Sequence, residues 1–424
     1  MKAECKRENL ASVIDLGDKM TTIDLSDLDF WAKPRSEWDK TFAALRAADE
    51  PVFCPRDDGP GFYAITRYDQ IAEASRNPQA FSSEPIAVGL DDPPPEASEL
   101  LGSMLSMDDP RHARLRRIVA RAFTPRMIAR ATDDVARLAG EIVDGLVERG
   151  PCDFVAEVAQ PMPLEIVCRM MGVPESARPE VVEATNAFIA AVGDPDYQDP
   201  SGKPRSAVLV DSARFMHELM GELAYDRRAH PADDIVTAMV HGDVDGEALS
   251  DAELGKFFVL LVVAGNETTR NALSHALALF TDHPEQRDLL LSDLDERMPA
   301  AIEEVVRYAT PVNWMRRTAT RDVDLLGHRF RAGDRLIMYY ASANRDETVF
   351  VDPYRFTITR NPNPHLGFGS RGPHFCLGAH LARREIALML RELFTRVPDI
   401  HATAEPVRQR SSFVNGVLEL PCAF

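Results

Sequence analysis

A mainly α-helical fold with a smaller β-rich region is what this 424-residue chain predicts. Three observations lead there. Helical periodicity dominates from about residue 67 to 310, strand-like alternation is confined mainly to 50–70 and 312–360, and 45% hydrophobic residues suffice for a large core. No internal repeat or low-complexity linker divides the chain. Residues 1–424 therefore read as a single domain, with the first ~20 residues flexible.

In chain order, Phe62–Ile65 reads as a short strand. Proline-rich Asp91–Pro95 and Asp194–Pro204 read as long, mobile loops. Val135, Leu138, Ile142 and Leu146 form one apolar stripe of a helix whose opposite face is charged. From Phe257, FFVLLVVAGNETTRNAL is apolar nearly all round and should cross the interior, opened by Ser250-Asp251-Ala252-Glu253 as a capping box. Val323–Tyr340 alternates around Gly327 and Ala332-Gly333 like a hairpin. A last helix places Ala382, Ile386, Met389 and Leu393 on one face.

Bulk properties exclude several functions. With 48 basic against 67 acidic residues the formal charge is -19, which discourages nucleic acid and anionic membranes as partners. The opening MKAECKRENLASVIDLGDK has no apolar core, so no secretory signal is expected. FFVLLVVAG is far short of the ~20 apolar residues of a membrane span. Six cysteines lie scattered at 5, 54, 152, 168, 376 and 422 without a CxxC pair. That spacing argues against zinc, iron–sulfur or disulfide frameworks and for a reduced, cytoplasmic setting.

The chemistry concentrates in PHLGFGSRGPHFCLG, Pro364 to Gly378. Gly367–Gly372 fits the G-x-G-x-x-G dinucleotide pattern, but that loop must follow a buried strand and open a helix. Pro362 and Pro364 exclude a central strand, and Pro373 follows the third glycine, where helix should already run. The stretch could instead hold Cys376 as a thiolate beneath a haem iron. Glycines allow close backbone approach, N–H donors can face the sulfur, and the following helix turns its positive end toward it. The plainer alternative is a buried structural cysteine. Within the central helix, Ala264, Gly265, Asn266, Glu267, Thr268 and Thr269 form an odd polar break. It reads either as a kink with satisfied hydroxyls or as a widened groove where oxygen sits and protons pass.

On these residues the chain resembles the cytochrome P450 family almost end to end. Phe368, Gly369, Gly372, His374, Cys376 and Gly378 match its cysteine loop F-G-x-x-G-x-H-x-C-x-G. The resemblance implies the P450 fold, with haem b between the central helix and the cysteine-loop helix, and Cys376 as axial iron ligand. It implies that Ala264, Gly265, Phe368 and Gly369 adjoin the haem and that His112, Arg116, Arg317 and His374 meet its propionates. Thr268 would face oxygen, with Glu267 delivering protons. Glu304, Arg307 and Arg355 would form a buried network that locks the scaffold of the loop. Arg114, Arg117 and Arg121, with Arg371, Arg383 and Arg384, would make a basic patch for an acidic electron carrier.

The implied reaction is monooxygenation: one atom of O2 enters a C–H bond. No flavin or nicotinamide domain is legible after Cys376, so electrons are expected from NAD(P)H through a separate ferredoxin and ferredoxin reductase. The protein is expected to be a monomer. Met104, Leu261, Ala264, Val312, Met315 and Phe413 are the expected pocket residues, and their apolar character suggests a lipophilic substrate. LLVVAGNETTRNA, DDPRHARLRRIVARAFTP, RNPNPHLGFG and FCLGAHLARREI are similar to the actinobacterial branch that hydroxylates terminal positions of methyl-branched lipids, isoprenoids and sterol side chains. His380 departs from that branch's usual asparagine. Three rivals remain: a haem-thiolate sensor without oxygenase activity, a P450 of polyketide or terpenoid secondary metabolism, and a dehydrogenase.

Overall fold

A computed structural model describes residues 13–15, 20–193, 197–244 and 247–424. The flexibility expected of the first ~20 residues falls mostly outside the described residues; Val13–Asp15 pairs antiparallel with Met20–Thr22. Part of the loop expected at Asp194–Pro204 also lies outside them.

The body is helical. Arg111–Ala122 presents one basic and one buried face, and Pro125–Arg149 begins where the Thr124 hydroxyl accepts from Met127 N at 3.1 Å. Asp251–Asp282 is the central helix, and both halves of its Ser250–Glu253 capping box are made. Its apolar run cannot face water on any side, so Pro161–Met171, Arg205–Ala229, Leu294–Ala309 and Ala379–Arg396 pack around it. The largest buried cluster forms between these helices.

The β-rich part is a five-stranded sheet ordered Val52–Cys54, Phe62–Ile65, Arg335–Tyr339, Trp314–Ala319 and Phe81–Ser82. One pairing is parallel, joining chain segments far apart: Leu336 lies opposite Tyr63 and Met338 opposite Ile65. Trp31, Trp38 and Phe42 pack against Tyr339 of this sheet and form a second core. Strand structure reaches further than 312–360. A three-stranded sheet joins Cys152–Asp153, His401–Ala402 and Pro421–Ala423. Among the described residues no helix is long and apolar enough to cross a membrane.

Candidate active site

A large cavity opens between the central helix, the basic helix Arg111–Ala122, the five-stranded sheet and the cysteine loop. Its chemistry is divided. The cysteine side carries the titratable groups; the opposite wall is Met104, Leu261, Ala264, Val312 and Met315.

The loop beneath is folded on itself. Gly369, at φ +82°, donates its N–H to Leu366 O at 2.9 Å, and Cys376 N donates to Phe368 O at 3.0 Å. A Cβ at Gly372 would sit 2.3 Å from Ser75 O, so only glycine lets the loop press against the helix Tyr68–Arg76. Cys376 is exposed where it lines the cavity. Burial pushes its thiol up; N–H groups of Gly378 and Ala379 and the charges of Arg116 and Arg383 pull the other way. The Arg383 guanidinium lies 4.2 Å from the Phe368 ring and pairs with Glu303 at 2.8 Å, which withdraws it from the expected basic patch.

Four cationic or protonatable side chains converge beside the sulfur. The rings of His112 and His374 lie 4.1 Å apart, and His374 Nε2 is 3.0 Å from Ser83 Oγ. Burial, then the charges of Arg317, His112 and Arg116, lowers His374 to about 3. Arg116 donates to Phe375 O, and Arg317 donates to Arg316 O at 2.7 Å. Among the described residues neither arginine pairs with a carboxylate, and the buried His112 Nε2 has no partner. Two guanidiniums without a carboxylate partner around one void call for an anion.

The central helix runs unbroken through Ala264–Thr269. The polar stretch therefore does not interrupt the helix. Thr268 Oγ1 donates to the Ala264 carbonyl at 2.7 Å, four residues back, while its side chain lines the cavity with Ala264 and Gly265. Glu267 does not line the cavity. Its Oε1 accepts from Arg270 at 2.5 Å and Asn271 at 3.0 Å, whereas Oε2, though buried, has no partner. A second acid does reach the cavity. Glu385, on the helix after the cysteine, accepts from Thr269 Oγ1 at 3.1 Å, and burial pushes its carboxyl up to about 8. In the sequence it is one acid among arginines on an amphipathic helix, and nothing there marks it as buried.

Two expectations need correction. Glu304 and Arg307 are fully buried and joined by paired bonds of 2.7 and 2.8 Å, but the second cation on Glu304 is Arg360, at 3.2 Å. Arg355 is exposed and contributes only its carbonyl, which accepts from Arg307 at 3.1 Å. The loop reverses between them, so Arg360 rather than Arg355 folds back. Phe413 does not line the cavity either. It lies edge-on to Trp314 at 5.0 Å in the second core, because the Phe413 carbonyl is tied to Asn313 N at 2.8 Å.

The family profile for cytochrome P450 matches residues 30–397. This chain is a cytochrome P450. The P450 named methyl-branched lipid omega-hydroxylase of Mycobacterium tuberculosis is 45% identical over 414 residues, 94% of each chain. The steroid C26-monooxygenase of the same species is 40% identical over 387 residues, covering 89% of this chain and 87% of that one. A Mycobacterium marinum P450 solved with pseudoionone superposes with a TM-score of 0.88 at 42% identity, covering 95% and 99% of the two chains. The protein is thus a P450 monooxygenase that uses haem, O2, a lipophilic substrate and electrons from redox partners. The residues fit that group: the orphaned His112 Nε2 and the two unpaired arginines suit a dianionic edge, and the donors aimed at Cys376 suit an anionic sulfur.

Proposed function

We propose that this P450 hydroxylates the terminal position of a methyl-branched lipid, isoprenoid or sterol side chain. The observation that carries the reading is the wall opposite the sulfur. There Met104, Leu105, Leu260, Leu261, Val312 and Met315 leave a saturated chain no hydrogen-bonding group to recognise. The names of the relatives support the same class.

Haem, when bound, supplies the reductive activation of O2 and the insertion of one oxygen atom. Cys376 would hold the iron as a thiolate, with the Gly378 and Ala379 N–H groups and the helix end stabilising its charge. His112, Arg116, Arg317 and His374 would bind the propionates, and Phe368 and Gly369 would shape the floor under the ring. Ala264 and Gly265 would lie against its other face. Thr268 would hold a proton at Oγ1; giving it up requires only that the hydroxyl turn from the Ala264 carbonyl. Glu267 would resupply that proton, since Arg270 and Asn271 fix Oε1 and leave Oε2 free to carry it. Glu304, Arg307 and Arg360 would brace the loop from behind.

Electrons would come from NAD(P)H through a ferredoxin and its reductase, docking where Arg371, His380 and Arg384 are exposed around the cysteine loop. The protein would act as a cytoplasmic monomer, with Cys54, Cys152, Cys168 and Cys422 kept as free thiols. The test is a spin-state titration of the holoprotein with branched acids, isoprenoids, sterols and polyketides, followed by product analysis with a ferredoxin system. Terminal alcohols from a branched lipid are the expected product. A spin shift with polyketides alone would overturn the substrate class.

A further inference from the structure

The central helix carries a feature that the oxygen chemistry does not use. Lys256, Leu260, Ala264 and Thr268 recur every fourth residue and so form a stripe that winds slowly around the helix. Three of them line the large cavity. Lys256 lines a narrower recess that adjoins it, and Met104 and Phe257 form walls of both. At 1.5 Å rise per residue, Lys256 and Thr268 stand about 18 Å apart along the axis.

Among the described residues no carboxylate pairs with Lys256, in a chain with 67 acidic residues against 48 basic. Glu253, the acid in the same recess, is already engaged: Oε1 with Arg114 at 3.2 Å and Oε2 with the Ser250 N–H at 2.9 Å. Across from the helix, His217 is held to Leu100 O at 3.0 Å and offers no negative charge. The lysine stem lies half-buried along an apolar wall, with its charge at the end.

We propose that Lys256 is the anchor for a carboxylate at the far end of a long-chain substrate, and that the distance from Lys256 to Thr268 selects the terminal carbon for oxidation. This rests on the branched-lipid reading and narrows it to acids. The ammonium would form a charge-assisted hydrogen bond with the carboxylate, while Phe257, Leu260 and Met104 cover the intervening methylenes. A neutral lipid of the same length would make only the apolar contacts.

The experiment is a spin-state titration of holoprotein with a long-chain methyl-branched acid and with its primary alcohol. Wild type, Lys256→Ala, Lys256→Glu and Lys256→Arg are compared, each checked for an intact carbon monoxide spectrum. Lys256→Ala is expected to weaken the acid by about tenfold or more and the alcohol by less than about twofold, as loss of one charge-assisted bond requires. Lys256→Glu should be worse for the acid, and Lys256→Arg should restore it. In turnover, Lys256→Ala should spread oxidation from the terminal carbon to its neighbours. Equal losses for acid and alcohol, or none for either, would overturn the anchor while leaving the substrate class intact. A wild type that binds neither would overturn both.

Discussion

Replacing Arg360 by alanine should destabilise the protein far more than replacing Arg355. Glu304 is fully buried and accepts from Arg307, Arg360, the Thr357 N–H at 2.9 Å and Asn363 at 3.2 Å. Arg360 also donates to the carbonyls of Val351 at 2.6 Å and Asp352 at 3.1 Å. Stripping a buried carboxylate of its only partner costs about 3–5 kcal/mol. Here Arg307, the Thr357 N–H and Asn363 stay behind, so the loss is smaller, and the exposed carbonyls of Val351 and Asp352 turn to water. The cost is about 1–3 kcal/mol. Arg355→Ala keeps the carbonyl that Arg307 uses and removes only an exposed guanidinium, for a change within about 0.5 kcal/mol. Urea midpoints of the two holoproteins, read by haem absorbance, decide the matter. An Arg355→Ala loss equal to or larger than that of Arg360→Ala would refute the assignment.

Two further outcomes follow from the site. Thr268→Ala should retain haem and divert electrons from product to peroxide, measured as peroxide formed per NAD(P)H consumed; unchanged coupling would remove Thr268 from the proton route. Glu385 titrates higher in the folded chain, at about 8, than its ordinary 4.5. Between those values the folded state holds a proton that the unfolded state has lost. Its contribution is therefore complete below about pH 4.5 and lost as pH rises toward 8. Glu385→Gln should flatten that decline and add up to about 3 kcal/mol at pH 7, in denaturation curves taken across this range. An unchanged slope would place the ionisation elsewhere.

Local signals carried much of the architecture and little of its tertiary detail. Ser250 to Glu253 are adjacent in the chain, so their capping box was legible, as was the run that had to be buried from Phe257 onward. Phe368, Gly369, His374 and Cys376 belong to one short loop whose spacing already implies their neighbourhood. Arg355 and Arg360 stand five residues apart, and which one reaches Glu304 depends on a loop reversal that no periodicity encodes. Phe413 was misplaced for a similar reason: its backbone tie to Asn313 turns the ring onto Trp314. Glu385 was invisible because a helical acid beside arginines reads as a surface ion pair until the packing of two helices is known.

The central claim is that the Cys376 sulfur, as a thiolate, is the protein's bond to haem iron. The carbon monoxide difference spectrum of the reduced protein tests it most directly, on wild type and on Cys376→Ala. The account predicts a band at about 450 nm for wild type and its disappearance in the variant. A variant that keeps the band, or a wild type purified with haem that never shows it, would contradict the account.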